Sequence, residues 1–136
     1  MKRILAVGAL LLVLAGCQTT DRLPLAPLPP EGQPVSYAEL YARARRQTEL
    51  ANAAFYDNHW EELGDTARGL AETAKYMAKA TDVPPAQKDT LAVRVGDLGK
   101  DAGKLREAAL AKKVDDVTTV MTRITKQIRE LNPSKK

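Results

Sequence analysis

Residues that carry chemistry are scarce in this chain. It has one histidine, His59, and one cysteine, Cys17. An intrachain disulfide is therefore excluded, and a Ser/His or Cys/His nucleophile has little to be built from. A structural or catalytic metal centre takes three or four ligands, and a bundle metal site draws Glu-x-x-His pairs from two helices; His59 with Asp57 or Glu62 supplies at most two. Aromatic residues make up 4% against 44% hydrophobic residues in all, so a core must be built from Ala, Leu, Val, Ile and Met. That composition suits closely packed helices better than a β-sandwich. No Gly-rich phosphate loop is present: Gly96, Gly99 and Gly103 fall at helical spacing, without a strand-turn-helix context. No catalytic residues, metal ligands or cofactor are expected, and the protein does not read as an enzyme.

Charge of one sign is also lacking. The formal net charge is +4, with 21 basic residues against 17 acidic ones, but Lys2 and Arg3 sit at the extreme N-terminus. Without them 19 basic residues face 17 acidic ones, and the two signs are interspersed apart from Arg43, Arg45, Arg46 and the terminal Lys135 and Lys136. A mixed, solvated surface follows, and nucleic acid is not expected as a partner.

What is present begins with residues 1 to 17, MKRILAVGALLLVLAGC. A basic start is followed by the apolar run Ile4 to Ala15 and then by small residues, the order of a secretory signal peptide. The run falls short of the roughly 20 residues that a bilayer core of about 30 Å requires. Its end, Leu14-Ala15-Gly16-Cys17, resembles the lipobox of bacterial lipoproteins. The resemblance implies cleavage after residue 16, a diacylglycerol on the Cys17 thiol, and acylation of the new amino terminus with a fatty acid such as palmitate. Each buried methylene contributes about 0.8 kcal/mol, and stable anchoring takes two chains, so three would hold the protein on a membrane without crossing it. Gln18, where an Asp would favour the inner membrane in enteric-type sorting, implies the outer membrane with the domain facing the periplasm.

Residues 18 to 35 hold Pro24, Pro27, Pro29, Pro30 and Pro34, five of the eight prolines. Proline removes backbone donors and fixes φ, so residues 17–35 are expected as a lipidated cysteine followed by an extended tether, with a reach of up to roughly 50 Å. Pro27 and Pro30 also offer one P-x-x-P match for a partner domain.

Four amphipathic segments follow. Ser36-Tyr37-Ala38-Glu39 reads as a capping box opening a helix to about Ala54, with Leu40, Ala44, Gln47, Ala51 and Ala54 on its seam; Gln47 makes this the weakest stripe. A second helix starts near Asp57 or Asn58, Asn58 and Glu61 forming a box-like pair. Its stripe is Trp60, Leu63, Ala67, Leu70, Ala74 and Met77, the a/d repeat of lengthwise packing, and Pro84-Pro85 end it. From about Pro85 a third helix carries Leu91, Val95, Leu98, Ala102, Leu105 and Ala109, with three glycines that either weaken it or allow close backbone approach. A fourth begins near Asp115 or Asp116, carries Val117, Met121, Ile124, Ile128 and Leu131, and is closed by Pro133. The expectation is an all-α, up-down-up-down four-helix bundle over residues 36–133, after a signal peptide at 1–16 and the tether.

In helix order, length and Ala-rich heptads this domain is similar to the four-helix cytochromes of the c-prime and soluble b types. Such proteins attach haem through C-x-x-C-H or a histidine on the last helix, which here has neither. His59 and Met77 lie 18 residues apart on one helix, about 27 Å, and cannot clamp one iron. The cluster of Tyr37, Tyr41, Phe55, Tyr56 and Trp60 reads as core or bundle-end packing before a ligand patch. The leading expectation is a lipid-anchored bundle that binds another envelope protein or acts as a scaffold. A small-molecule or haem-binding bundle is the alternative, and a homo-oligomer that covers the weak first seam stays open.

Overall fold

The Ser36 hydroxyl accepts the Glu39 backbone N–H at 3.2 Å while the Glu39 carboxylate accepts the Ser36 N–H at 3.3 Å. This capping box starts the first helix, and the Asp82 carboxylate closes a further orphan donor, the Tyr37 N–H, at 2.8 Å. The computed structural model describes residues 25–135; the expected signal peptide, Cys17 and residues 18–24 of the expected tether lie outside them. Four helices are formed: α1 Tyr37–Tyr56, α2 Trp60–Ala78, α3 Lys88–Leu110 and α4 Val114–Glu130, with a single 3-10 turn, Pro85–Gln87, leading into α3. There is no strand among the described residues.

The stripes read from spacing are the core. Every seam position expected on the four helices is buried except Trp60, which is partly exposed at the start of α2. Helices adjacent in sequence pack in a ring. The α2–α3 interface is the most extensive, α1–α2 and α3–α4 follow, α1–α4 is the narrowest, and the backbones of the diagonal pairs stay farther apart. This is the up-down-up-down bundle.

Gln47 is 3% exposed and its Oε1 has no hydrogen-bond partner. It fits because α2 has Gly69 opposite: a Cβ there would stand 3.0 Å from the Gln47 amide nitrogen. A glutamine in the seam makes α1 the least apolar contributor to the core, as its sequence implies.

The connections differ in detail from the expected caps. Asn58 does not open α2 but closes α1. It has φ 59°, and its N–H bonds the Phe55 carbonyl while the His59 N–H bonds the Ala54 carbonyl at 2.8 Å. This is a Schellman cap, and asparagine tolerates the left-handed conformation better than most residues. With two residues between Asp57 and Trp60, the same Asn cannot also cap α2. Lys112 at φ 52° ends α3 in the same way, with the Lys113 N–H on the Ala108 carbonyl at 2.9 Å.

The glycines of α3 resolve into two kinds. A Cβ on Gly99 would lie 3.8 Å from the Ala74 side chain, so Gly99 belongs to the close α2–α3 contact, whereas Gly96 and Gly103 face open space. Alanine at Gly96 and Gly103 is therefore expected to stabilise the fold by about 0.5–1 kcal/mol each. Thermal unfolding of the double variant should show a midpoint raised by several degrees.

Candidate functional surfaces

The descending prolines form a strap. Residues 25–35 are neither helix nor strand, as expected, but they do not stand free. Leu28 and Val35 pack against the core, the Tyr76 hydroxyl donates to the Pro29 carbonyl at 2.7 Å, and the Arg43 guanidinium donates to the Ala26 carbonyl. Pro30 to Gln33 makes a turn closed by a 3.2 Å bond from the Gln33 N–H to the Pro30 carbonyl, with Gly32 at φ 101° where a side chain would be strained. Proline leaves carbonyls without matching N–H groups, and α1 and α2 supply the donors. A groove of about 800 Å³ runs along the strap beside Arg43, Glu72 and Lys75. Burial holds the Arg43 guanidinium below its ordinary value, partly offset by the charge of Glu72. Seven residues, 18–24, separate Cys17 from the docked strap, and at most about 25 Å of chain can span them. The reach is thus half of what eighteen undocked residues would give.

At the far end of the bundle Phe55 meets Trp60 edge-on, with centroids 5.8 Å apart, and Tyr56 at 5.9 Å. The aromatic cluster expected from sequence is therefore split: Tyr37 is buried at the opposite end, and Tyr56 is 80% exposed. From Phe55 and Tyr56 a groove of about 470 Å³ runs along the narrow α1–α4 seam, floored by Met121 and a row of α4 threonines and edged by Lys126 and Arg129. The α3–α4 groove, about 420 Å³, differs in carrying both signs, including Lys113, Asp116 and Arg123.

His59 is exposed, and its Nδ1 lies 3.2 Å from the Glu62 carboxylate. Met77 is buried toward the other end of α2, so these two residues do not converge. Glu61, Glu62, Asp115 and Asp116 occupy the first turns of α2 and α4, where the helix dipole stabilises acids. Among the described residues no three potential ligands come together for a metal ion, and no helix is long and apolar enough to cross a membrane.

Two buried ionisable groups were not legible from the stripes. Tyr37 ties α1 to the segment before α3 and to the end of α4. Its hydroxyl lies 2.7 Å from both Gln87 Oε1 and the Leu131 carbonyl, and the Gln87 amide donates to the Asn132 carbonyl. Asp101 of α3 accepts from Arg123 and Gln127 of α4. Both knots hold elements together. Comparison with protein-family models, with curated proteins and with solved structures finds no match.

Proposed function

We propose that the chain is a lipoprotein acylated on Cys17, held on the periplasmic face of the outer membrane, whose bundle is a protein-binding or scaffold element of the cell envelope. The observation that carries this reading is the order of the first seventeen residues: a basic start, an apolar run too short to span, and Leu14-Ala15-Gly16-Cys17. The domain's design is compatible with it, since the described helices need no membrane to satisfy their apolar faces. The docked strap sets how the domain would be carried. With at most about 25 Å of chain between lipid and strap, the point where the chain enters the strap stays within about that distance of the membrane surface. The α1–α4 groove lies on the other flank of α1.

Cys17→Ser tests the anchor. Wild-type protein should incorporate labelled palmitate, sediment with outer-membrane vesicles and partition into detergent. The variant should lose the label completely and leave the membrane fraction. Label retained on the variant at the wild-type level would overturn the reading, because no other cysteine is available to carry it.

A further inference from the structure

The α1–α4 groove is built unlike the rest of the surface. Thr118, Thr122 and Thr125 lie along one flank of α4, and each hydroxyl donates to the carbonyl four residues back at 2.9 Å. Their donors are spent inside the helix, so what these side chains offer a neighbour is chiefly methyl. Covering them strands no hydroxyl donor, which lowers the usual cost of burying threonine. With Met121 and Phe55 they make an apolar floor where the sequence reads as polar.

The rim adds charge of one sign. Lys126 and Arg129 line the groove, no acidic residue does, and neither cation makes an ion pair among the described residues. By contrast Arg68 and Lys100 each face an acid on their own helix, Lys113 at the N-cap of α4 faces Asp116, and Arg45 and Arg46 share Glu49. Lys88, Arg106 and Lys112 also make no ion pair among the described residues, but they line none of the grooves described above. The groove also follows the seam where neighbouring helices approach least, and it lies as a trough between antiparallel α1 and α4. Thr118 to Arg129 is about 16 Å of helix, three turns.

The geometry points to the α1–α4 groove as the docking site for an acidic amphipathic helix of another envelope protein. Its apolar face would lie on the threonine methyls, Met121 and Phe55, and its carboxylates would meet Lys126 and Arg129. A helix matches the length and the trough. The acidity follows from two cations that share one groove, with no acid in its lining and no ion pair among the described residues. This deepens the protein-binding reading above and rests on it for the identity of the compartment, though the groove itself does not depend on the lipid. A lipid surface is the less suited occupant, because a trough three helical turns long fits a rod better than a plane.

The test uses full-length acylated protein in nanodiscs and Cys17→Ser protein in solution. The probes are two fluorescent synthetic helices of about five turns that share one Leu/Ala face, one with a glutamate polar face and one with a lysine polar face. Fluorescence anisotropy should show the acidic helix binding both proteins, with the basic helix weaker by at least about tenfold. Lys126→Glu with Arg129→Glu should lower the acidic helix's affinity by a similar factor. Thr122→Glu should abolish binding, and Arg106→Glu, outside the groove, should leave it unchanged. Circular dichroism confirms that each variant folds. Equal binding of the two helices, or a charge reversal without effect, overturns the proposal. So does sedimentation showing a dimer that the charge reversal dissolves, which would give the groove to a second copy. Charge-dependent binding of Cys17→Ser protein to anionic vesicles would give it to lipid. Binding of the acidic helix by Cys17→Ser protein whose wild type fails to acquire lipid sinks the anchor and leaves the groove.

Discussion

Tyr37→Phe is expected to lower stability by about 2 kcal/mol, because it leaves two buried acceptors, Gln87 Oε1 and the Leu131 carbonyl, with one donor fewer between them. The ring is 1% exposed, so water cannot replace the lost hydroxyl. For a domain of this size the midpoint of thermal unfolding should fall by roughly 8–15 °C. A second signature separates the hydroxyl from simple packing. Burial, with a smaller push from Tyr41 and a small opposing pull from Arg94, raises the Tyr37 phenol from 10.0 to about 12. The fold favours the protonated phenol. Its contribution is therefore fully present below pH about 10, is lost as pH rises through about 12, and amounts to roughly 2–3 kcal/mol. The quantity to measure is the difference between wild type and Tyr37→Phe in urea unfolding, because the subtraction isolates the phenol. That difference should be constant up to pH about 10 and close above it. A difference that does not change with pH would mean the phenol is not held by this knot.

The Tyr37 knot shows where sequence reading stops. Spacing located all four seams because core positions repeat at three and four residues, and the repeat is local. The capping box at Ser36 is local as well. Tyr37 follows the cap and looked like one of five aromatics near helix ends; its partners lie 50 and 94 residues away, and no periodicity encodes such a meeting. Gln47 was legible as a flaw in the α1 seam, but the accommodating Gly69 on α2 was not. The strap is a similar case. Five prolines exclude helix and central strand, yet whether their carbonyls meet water or protein depends on Tyr76, 47 residues from Pro29. The α1–α4 groove was invisible for a different reason. Thr118, Thr122 and Thr125 count as polar in any pattern, and only the direction of their hydroxyls makes the surface apolar.

Asp101 offers the second large effect, and its sign follows from what surrounds it. On sequence it sits beside the α3 seam between Leu98 and Ala102, a place where an acid is costly. Its side chain is 8% exposed, and burial alone would push the carboxyl up. Hydrogen bonds from Arg123 and Gln127, with the charges of Arg123 and Lys104, outweigh burial and leave it below the ordinary value of 3.8. Arg123 binds through Nε to Oδ2 at 3.1 Å and through Nη2 to Oδ1 at 2.9 Å, while Gln127 donates to Oδ2 at 2.9 Å. Asp101→Ala frees an arginine that is 43% exposed and can return to water, so the charge lost there costs little. The Gln127 amide fares worse. Its Oε1 is already buried without a partner, and the substitution removes the acceptor of its Nε2 as well. A loss of about 1–2 kcal/mol is expected near neutral pH, measured by urea unfolding. Because the folded carboxyl is depressed, its contribution is present above about pH 4 and is lost as pH falls through the folded value. The gap between wild type and Asp101→Ala should therefore narrow in acid. Arg123→Ala should behave differently: it leaves the buried carboxylate in place with fewer donors, raises its pKa, and moves the acid limb of the stability curve to higher pH. If the two variants gave the same acid limb, the α3–α4 knot would be an ion pair at the surface with no bearing on the packing beneath it.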